Sequence, residues 1–400
     1  MAVPVADLTA AAGQSDGPVQ MLVVQPTPFC NLDCDYCYLP DRGDRSRLSF
    51  AVLEAAVERV LDSPYFGGGF TLLWHAGEPL MAPIAFYDEA TERIRRLLAR
   101  RALPPSTIVQ SLQTNATVID AAWCDCFIRN GIHVGVSMDG PAFLHDAHRV
   151  TRTGLPTHAA VMRGIDWLAR RQIPFQVICV LTADALDHAD AMADFFLQHG
   201  IAEVGFNMEE TEGANSHSSL DAGGAAQAAL EQRYRAFMAR LWQRSRAQPG
   251  RLRIREFDGI ASIACSQARM VQTDMNTPFV IVNVDARGQV STFDPELLSV
   301  KTAEYGDFSL GNVLVDSLEA LAATDKFRRV AAEIRAGVEL CRGSCEHFGL
   351  SGGGTGSNKY WEHGRFDCTQ TQHCRYCIQL VADVVLEGLE QELGLTACAG

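Results

Sequence analysis

No run of about 18 apolar residues occurs anywhere in this 400-residue chain, so no membrane-spanning helix is expected. Residues 1–20 are rich in Ala, Gly and Ser and lack the basic start and apolar stretch of a signal peptide. They read as a flexible leader, and a cytoplasmic location is expected. Basic residues are sparse and scattered: the net charge is −14, and nothing exceeds short helical runs such as Arg93, Arg95 and Arg96. A nucleic-acid partner would call for a basic face, so none is expected. Short-period repeats and low-complexity segments are also missing.

What the chain does have is cysteine, thirteen in all. A reducing cytosol disfavours disulfides and leaves metal binding or catalysis as the default for clustered thiols. Cys30, Cys34 and Cys37 form one group, and Cys341, Cys345, Cys368, Cys374 and Cys377 a second. Cys124, Cys126, Cys179, Cys265 and Cys398 are scattered and need no special role.

The apolar periodicity alternates. Strands are expected at 21–25, 70–74, 107–113, 133–137, 174–181 and 203–207, with helices between them at 49–61, 84–101, 120–130, 158–171 and 185–199. Such alternation implies a parallel sheet with helices outside. Six units, fewer than the eight of a closed barrel, suggest an α/β fold built as a partial (β/α)6 TIM-like barrel. Cys30, Gly77, Glu78, Asn115, Asp139 and Glu209 each fall just after an expected strand, the end where such barrels carry active sites. From about residue 222 the pattern changes to a long polar helix at 225–246, short strands at 279–284 and 289–292, the cysteine-rich stretch, and a last helix at 381–393. The expected division is therefore 1–20 leader, 21–221 barrel, 222–380 cysteine-rich domain, and 381–400 terminal helix and tail.

Cys30, Cys34 and Cys37 are spaced Cx3Cx2C. A 4Fe–4S cluster takes one protein ligand per iron, so three thiolates on one loop leave the fourth iron open. A structural zinc site would want four ligands, usually in two pairs. The bland alternative is three unligated cysteines in a loop.

The segment CNLDCDYC resembles the signature of the radical S-adenosylmethionine superfamily, CxxxCxΦC, with Tyr36 at the aromatic position. The resemblance implies that the open iron chelates the amino and carboxylate groups of S-adenosylmethionine. Reductive cleavage then gives methionine and a 5′-deoxyadenosyl radical, which abstracts hydrogen from the substrate. It also implies cofactor contacts from Tyr36, from Gly77 and Glu78 in the GGEP-like His75-Ala-Gly-Glu-Pro79, from Asn115, and from Ser137 and Asp139 at the next two strand ends. Ala76 departs from the family's first glycine there. Arg149 fits as a carboxylate partner because guanidinium binds carboxylates bidentately.

The second group resembles the SPASM extension of peptide-modifying radical enzymes, with departures. Phe293 or Asp294 stands where a cysteine is expected, and Ser351, separated from Cys345 by five residues, stands where another would be. Cys341, Cys345, Cys368, Cys374 and Cys377 suffice for one auxiliary iron–sulfur cluster, and a zinc site is the structural alternative. In sulfatase-maturing relatives an Asp at this turn is a general base, which points to Asp294 as a catalytic residue; a turn Asp before Pro295 is the plain alternative.

The stretches VVQPTPFCNLDCDYCYLP, FTLLWHAGEPL, LQTNATVID, FNMEETEG and SNKYWEHGRF are similar to the cyclophane-forming maturases of glycine-rich repeat peptides. That likeness implies a ribosomally made precursor peptide as substrate and a carbon–carbon bond between an aromatic ring and a nearby β-carbon. It also implies an electron donor such as flavodoxin or ferredoxin. Glu209, Glu210 and Glu212 read either as a site for a basic peptide or as a solvated acidic loop. Formylglycine or thioether formation is the rival within the same chemistry. A non-catalytic metal-binding peptide scaffold is the rival outside it.

Overall fold

The structure, a computed structural model, describes residues 16–266, 268–298 and 300–395. Most of the expected leader lies outside the described residues, as do the last residues of the tail with Cys398. Among the described residues no helix is long and apolar enough to cross a membrane.

The alternation seen in the sequence is the alternation of the fold. Strands β1 (Met21–Val24), β2 (Phe70–Trp74), β3 (Ile108–Thr114), β4 (Ile132–Ser137), β5 (Phe175–Leu181) and β6 (Glu203–Met208) lie side by side in chain order. All five pairings are parallel. Parallel neighbours require crossovers, and helices α1 (Phe50–Leu61), α2 (Ile84–Arg100), α3 (Ala121–Asn130), α4 (Ala142–His148), α5 (His158–Arg170) and α6 (Ala189–Gln198) supply them.

Local chemistry sets where these helices start and stop. Ser49 caps α1 by accepting from the Val52 N–H, and Asp120 caps α3 by accepting from the Trp123 N–H. Gly131 ends α3 at φ +64°. Along α2, Tyr87, Ala90, Thr91, Ile94, Leu97 and Leu98 are buried at helical spacing, so one face packs on the sheet while its arginines stay out. The helix expected at 185–199 is divided: a 3₁₀ turn at Ala185–Asp187 precedes α6, and His188 between them is non-helical.

The C-terminal region joins the same sheet. After α7 (Gly224–Arg246), strand β7 (Arg253–Ile254) adds in parallel to β6 and is followed by α8 (Arg255–Cys265). Strand β8 (Ile281–Val284) adds in parallel to the free side of β1, β9 (Gln289–Thr292) turns back against it, and Gly311–Asn312 pairs with β9. Ten strands result. Both edges of the six-strand unit are thereby paired, which removes open N–H and C=O rows from its flanks. The helices Asp325–Ser344 and Gly356–His363 follow, and then a π-helical segment, Cys374–Leu380, runs into the last helix, Val381–Glu392.

Candidate active site

The loop between β1 and α1 carries the first three cysteines and is held from several sides. The Cys30 N–H donates to the Arg42 carbonyl, the Asp33 N–H to the Val150 carbonyl, and Arg42 returns a guanidinium hydrogen bond to the Cys34 carbonyl at 3.0 Å. From the second strand end, the Glu78 N–H donates to the Phe29 carbonyl at 2.9 Å. Gly77 makes this approach possible: it sits at φ +70°, and a Cβ there would lie 2.3 Å from the Thr27 carbonyl oxygen. Ala76 adopts φ +66°, a conformation that costs an L-residue about 1 kcal/mol.

Burial pushes the Cys30 thiol up to about 12, with Glu78 adding to the shift. Burial likewise raises Cys34 to about 11 against the opposing pull of Arg149. Each thiol lies within electrostatic range of the other two. Among the described residues no three His, Cys, Asp or Glu side chains converge as a single ion would require. The irons of a cubane occupy separate corners and take one thiolate each, so a cluster needs no such convergence. Donors also point at the sulfur: the Leu32 N–H lies 3.4 Å and the Asn115 amide 3.9 Å from Cys30 Sγ. Such hydrogen bonds tune an iron–sulfur centre. The donor set therefore fits a 4Fe–4S cluster, whose charge would deprotonate thiols that burial keeps neutral.

The other expected cofactor residues surround this loop, most of them tied to one another. Glu78 Oε1 accepts from the Leu80 N–H and the Thr114 hydroxyl, and Oε2 accepts from the Asn115 N–H. A carboxylate offers about four lone-pair sites, so one remains. Asn115 also reaches Asn31 Oδ1 at 2.9 Å, and Ser137 accepts from Gln113. Asp139 is buried at the end of β4 and takes a bidentate grip from Arg149 at 2.8 and 3.0 Å. The Val180 N–H and the Tyr36 hydroxyl complete its shell. Burial alone would raise the Asp139 carboxyl, yet the Arg149 guanidinium holds it below the usual range. His145 is pushed down to about 4 by burial. Its Nδ1 accepts from the Asp139 N–H, so Nε2 carries the proton and faces the Thr157 hydroxyl. Asp139 and Arg149 thus form a buried pair that ties the cysteine loop down through the Tyr36 hydroxyl.

The second cysteine group divides. Cys341, Cys345 and Cys374 line a cavity of about 310 Å³ together with Ser351 and Lys359. That is room for roughly ten waters. Lys359 is buried and aims Nζ at Cys341 Sγ, 3.6 Å away. Cys368 stands within range of Cys341 and Lys359. The structure does not bring Cys377 to this cavity: its thiol is buried against Tyr234 and the Met208 backbone, and burial pushes it up. Three thiols at the cavity, Cys368 beside them, a serine and a cation fit one anionic auxiliary cluster.

Phe293 takes φ +74° and packs on Phe327, so the turn after β9 presents Asp294 instead of a sulfur. Asp294 is buried, accepts from the Ser357 N–H at 3.1 Å, and is pushed up to about 7 by burial. Sequence reasoning missed four neighbours. Glu296 is raised to about 8 by burial and by Asp294. His373 pairs with Glu210. The Tyr38 hydroxyl lies 3.3 Å from Nε2 of His75, which burial lowers to about 4. Tyr38 and His75 adjoin the Cys37 and Gly77 motifs and were within reach of a motif-based search; Glu296 and His373 carry no such signal. The acidic trio after β6 also divides, with Glu209 turned to the Ser219 N–H at 2.7 Å.

The chain is similar to several known proteins. The Radical SAM superfamily profile matches residues 24–196. An uncharacterized protein of Synechocystis sp. is 48% identical over 379 residues, 95% of this chain and 94% of that one. The serine-type anaerobic sulfatase-maturating enzyme of Klebsiella aerogenes is 36% identical over 207 residues, half of each chain. The cysteine-type enzyme of Clostridium perfringens strain 13 is 27% identical over 84% of this chain and 88% of its own. Among solved structures, anSMEcpe with bound AdoMet and Cp18Cys peptide superposes with TM-score 0.74 at 23% identity, covering 95% of this chain and all of that one. Streptococcus suis SuiB bound to S-adenosylmethionine superposes with TM-score 0.60 at 14% identity, covering 90% and 77%. At these identities the structural likeness is one of fold.

Proposed function

The chain belongs to the radical SAM superfamily, and from that premise we propose that it oxidises a ribosomally made precursor peptide, joining an aromatic ring to a nearby β-carbon. Its cofactors are a 4Fe–4S cluster and S-adenosylmethionine. When bound they supply a 5′-deoxyadenosyl radical for hydrogen abstraction, and an auxiliary cluster at Cys341, Cys345, Cys368 and Cys374 would supply an acceptor for the electron the product must lose.

In this reading Cys30, Cys34 and Cys37 hold the first cluster, and Gly77, Glu78, Asn115 and Ser137 face the cofactor. Asp139 and Arg149 position the loop through the Tyr36 hydroxyl. Asp294 takes the proton released when the ring regains aromaticity. The observation that carries peptide oxidation, common to the crosslink and to its formylglycine rival, is Asp294: a buried carboxyl pushed up to about 7, within electrostatic range of Tyr38, which follows Cys37 in the chain. A base poised near neutrality is what proton removal at pH 7 needs. Residues 21–221 then hold the cofactor site, 222–380 the auxiliary site and 381–400 the closing helix. A flavodoxin or ferredoxin would deliver the reducing electron.

Formylglycine formation is the second reading, favoured by the sulfatase-maturating relatives. The two separate by product. Anaerobic incubation with S-adenosylmethionine, dithionite and a peptide encoded beside the gene is expected to yield a peptide lighter by two hydrogens with a new ring-to-β-carbon bond in its fragmentation pattern. An aldehyde that reacts with a hydrazide probe would instead establish formylglycine and overturn the crosslink.

A further inference from the structure

Four carboxyl groups from two distant stretches meet beside Tyr38. Glu210 and Glu212 follow β6, and Asp294 and Glu296 follow β9; each pair is spaced two residues apart. Glu212 lies within electrostatic range of the other three. Their only close ionic partner among the described residues is His373, which pairs with Glu210. Other cations nearby are committed elsewhere: Lys359 to Cys341 Sγ, Arg375 to Glu231, and Arg255 to Glu256.

Glu212 is 3% exposed and its carboxyl is within hydrogen-bond range of Ser357 and Glu210, yet its Oε1 has no hydrogen-bond partner among the described residues, and neither has Glu296 Oε2. Two buried carboxyl oxygens without donors are costly, and a second carboxyl alongside raises the cost of ionising either. Such oxygens in a native fold call for an explanation, and a donor-bearing ligand is one. The side chains of Glu210 and His373 retain 24% and 30% of their surface, so the cluster opens on their side and closes at Glu212.

The occupant that matches is a cation with several N–H donors. A guanidinium brings five and an ammonium three, each able to reach oxygens on more than one carboxylate. We propose that Glu212 and Glu296, with Asp294 at their edge, form a subsite for a positively charged side chain of the peptide, an arginine or a lysine, close to the residue being oxidised. The inference rests on the peptide-maturase reading and names the class of peptide that site takes. The subsite ranks candidate precursors by charge and fixes their register.

The test measures binding, independently of turnover. The iron- and sulfide-reconstituted holoenzyme with S-adenosylmethionine is titrated calorimetrically with three acetylated, amidated tetrapeptides of sequence Gly-Phe-Xaa-Gly, where Xaa is arginine, lysine or the neutral isostere citrulline. At least one charged peptide is expected to bind about tenfold tighter than the citrulline peptide, a difference near 1.4 kcal/mol. The better charged peptide identifies the cation. In Glu212→Gln/Glu296→Gln that preference is expected to vanish. Where the double variant fails to hold iron, Glu296→Gln alone, the half-buried member of the pair, is expected to reduce the preference at least threefold. Equal affinity for all three peptides, no measurable binding of any, or a preference that survives the substitutions would overturn the subsite. Failure of the wider reading shows differently: charge preference is kept, but no peptide is oxidised.

Discussion

Asp294 and Glu296 are two carboxyls that burial raises, to about 7 and about 8, and this has a thermodynamic consequence. The folded chain holds protons there that the unfolded chain releases near pH 4. Their contribution to stability is complete below the unfolded values and is lost as pH rises through the folded ones, so it fades between about pH 4 and 8. The metal-free protein is therefore expected to lose stability from pH 6 to 9, by an amount on the order of a few kcal/mol. Thermal unfolding across that range checks it, and Asp294→Asn/Glu296→Gln should flatten the profile; an unchanged slope in the variant would assign it to other groups. At this scale the sequence was legible where chemistry is carried by spacing. Cys30, Cys34 and Cys37 are spaced as a cluster loop would be, and the structure brings the three thiols within electrostatic range of one another. Glu296 and His373 were not legible. A carboxylate becomes remarkable only when the fold removes its water and puts another carboxylate beside it. Spacing alone also could not separate Cys374, which lines the cavity, from Cys377, whose thiol is buried near Tyr234 and the Met208 backbone.

The element that matters most is the loop between β1 and α1, and the turn after β2 holds it. Gly77 has a backbone conformation that disfavours a side chain, and a Cβ would meet the Thr27 carbonyl oxygen at 2.3 Å and Pro28 at 2.8 Å. Both obstacles are backbone atoms, so relief requires the cysteine loop to move. Gly77→Ala is expected to destabilise the chain by about 1–3 kcal/mol and to lower iron bound at the first site, while the distant cavity at Cys341 keeps its iron. Thermal unfolding and iron analysis of the reconstituted variant check this; wild-type iron content would mean the approach is not needed. Periodicity made the six strands and most helices legible, because each buries one face over several turns or residues. The strands β7, β8 and β9 escaped as parts of the main sheet. They are two to four residues long, too short for a period to reveal which edge they join.

Across the whole molecule, the two cysteine groups sit on opposite sides of one boundary. The first occupies the strand ends of the six-strand unit, and the second a cavity in the region that extends its sheet. The carboxylate cluster draws from both, with Glu210 and Glu212 from one and Asp294, Glu296 and His373 from the other. A peptide lying between the two cysteine groups would meet residues of each part. An alternating pattern foretold the parallel sheet. The meeting of residues some 80 positions apart did not show, since no local signal records it. The central claim is that this arrangement cleaves S-adenosylmethionine reductively at Cys30, Cys34 and Cys37. The direct measurement is 5′-deoxyadenosine formed anaerobically by reconstituted protein with S-adenosylmethionine and dithionite, set against the variant in which all three cysteines are Ala. Production by the wild type that disappears in the variant is the expected result. No production by well-reconstituted wild type, with a candidate peptide present, or equal production by the variant, would contradict it.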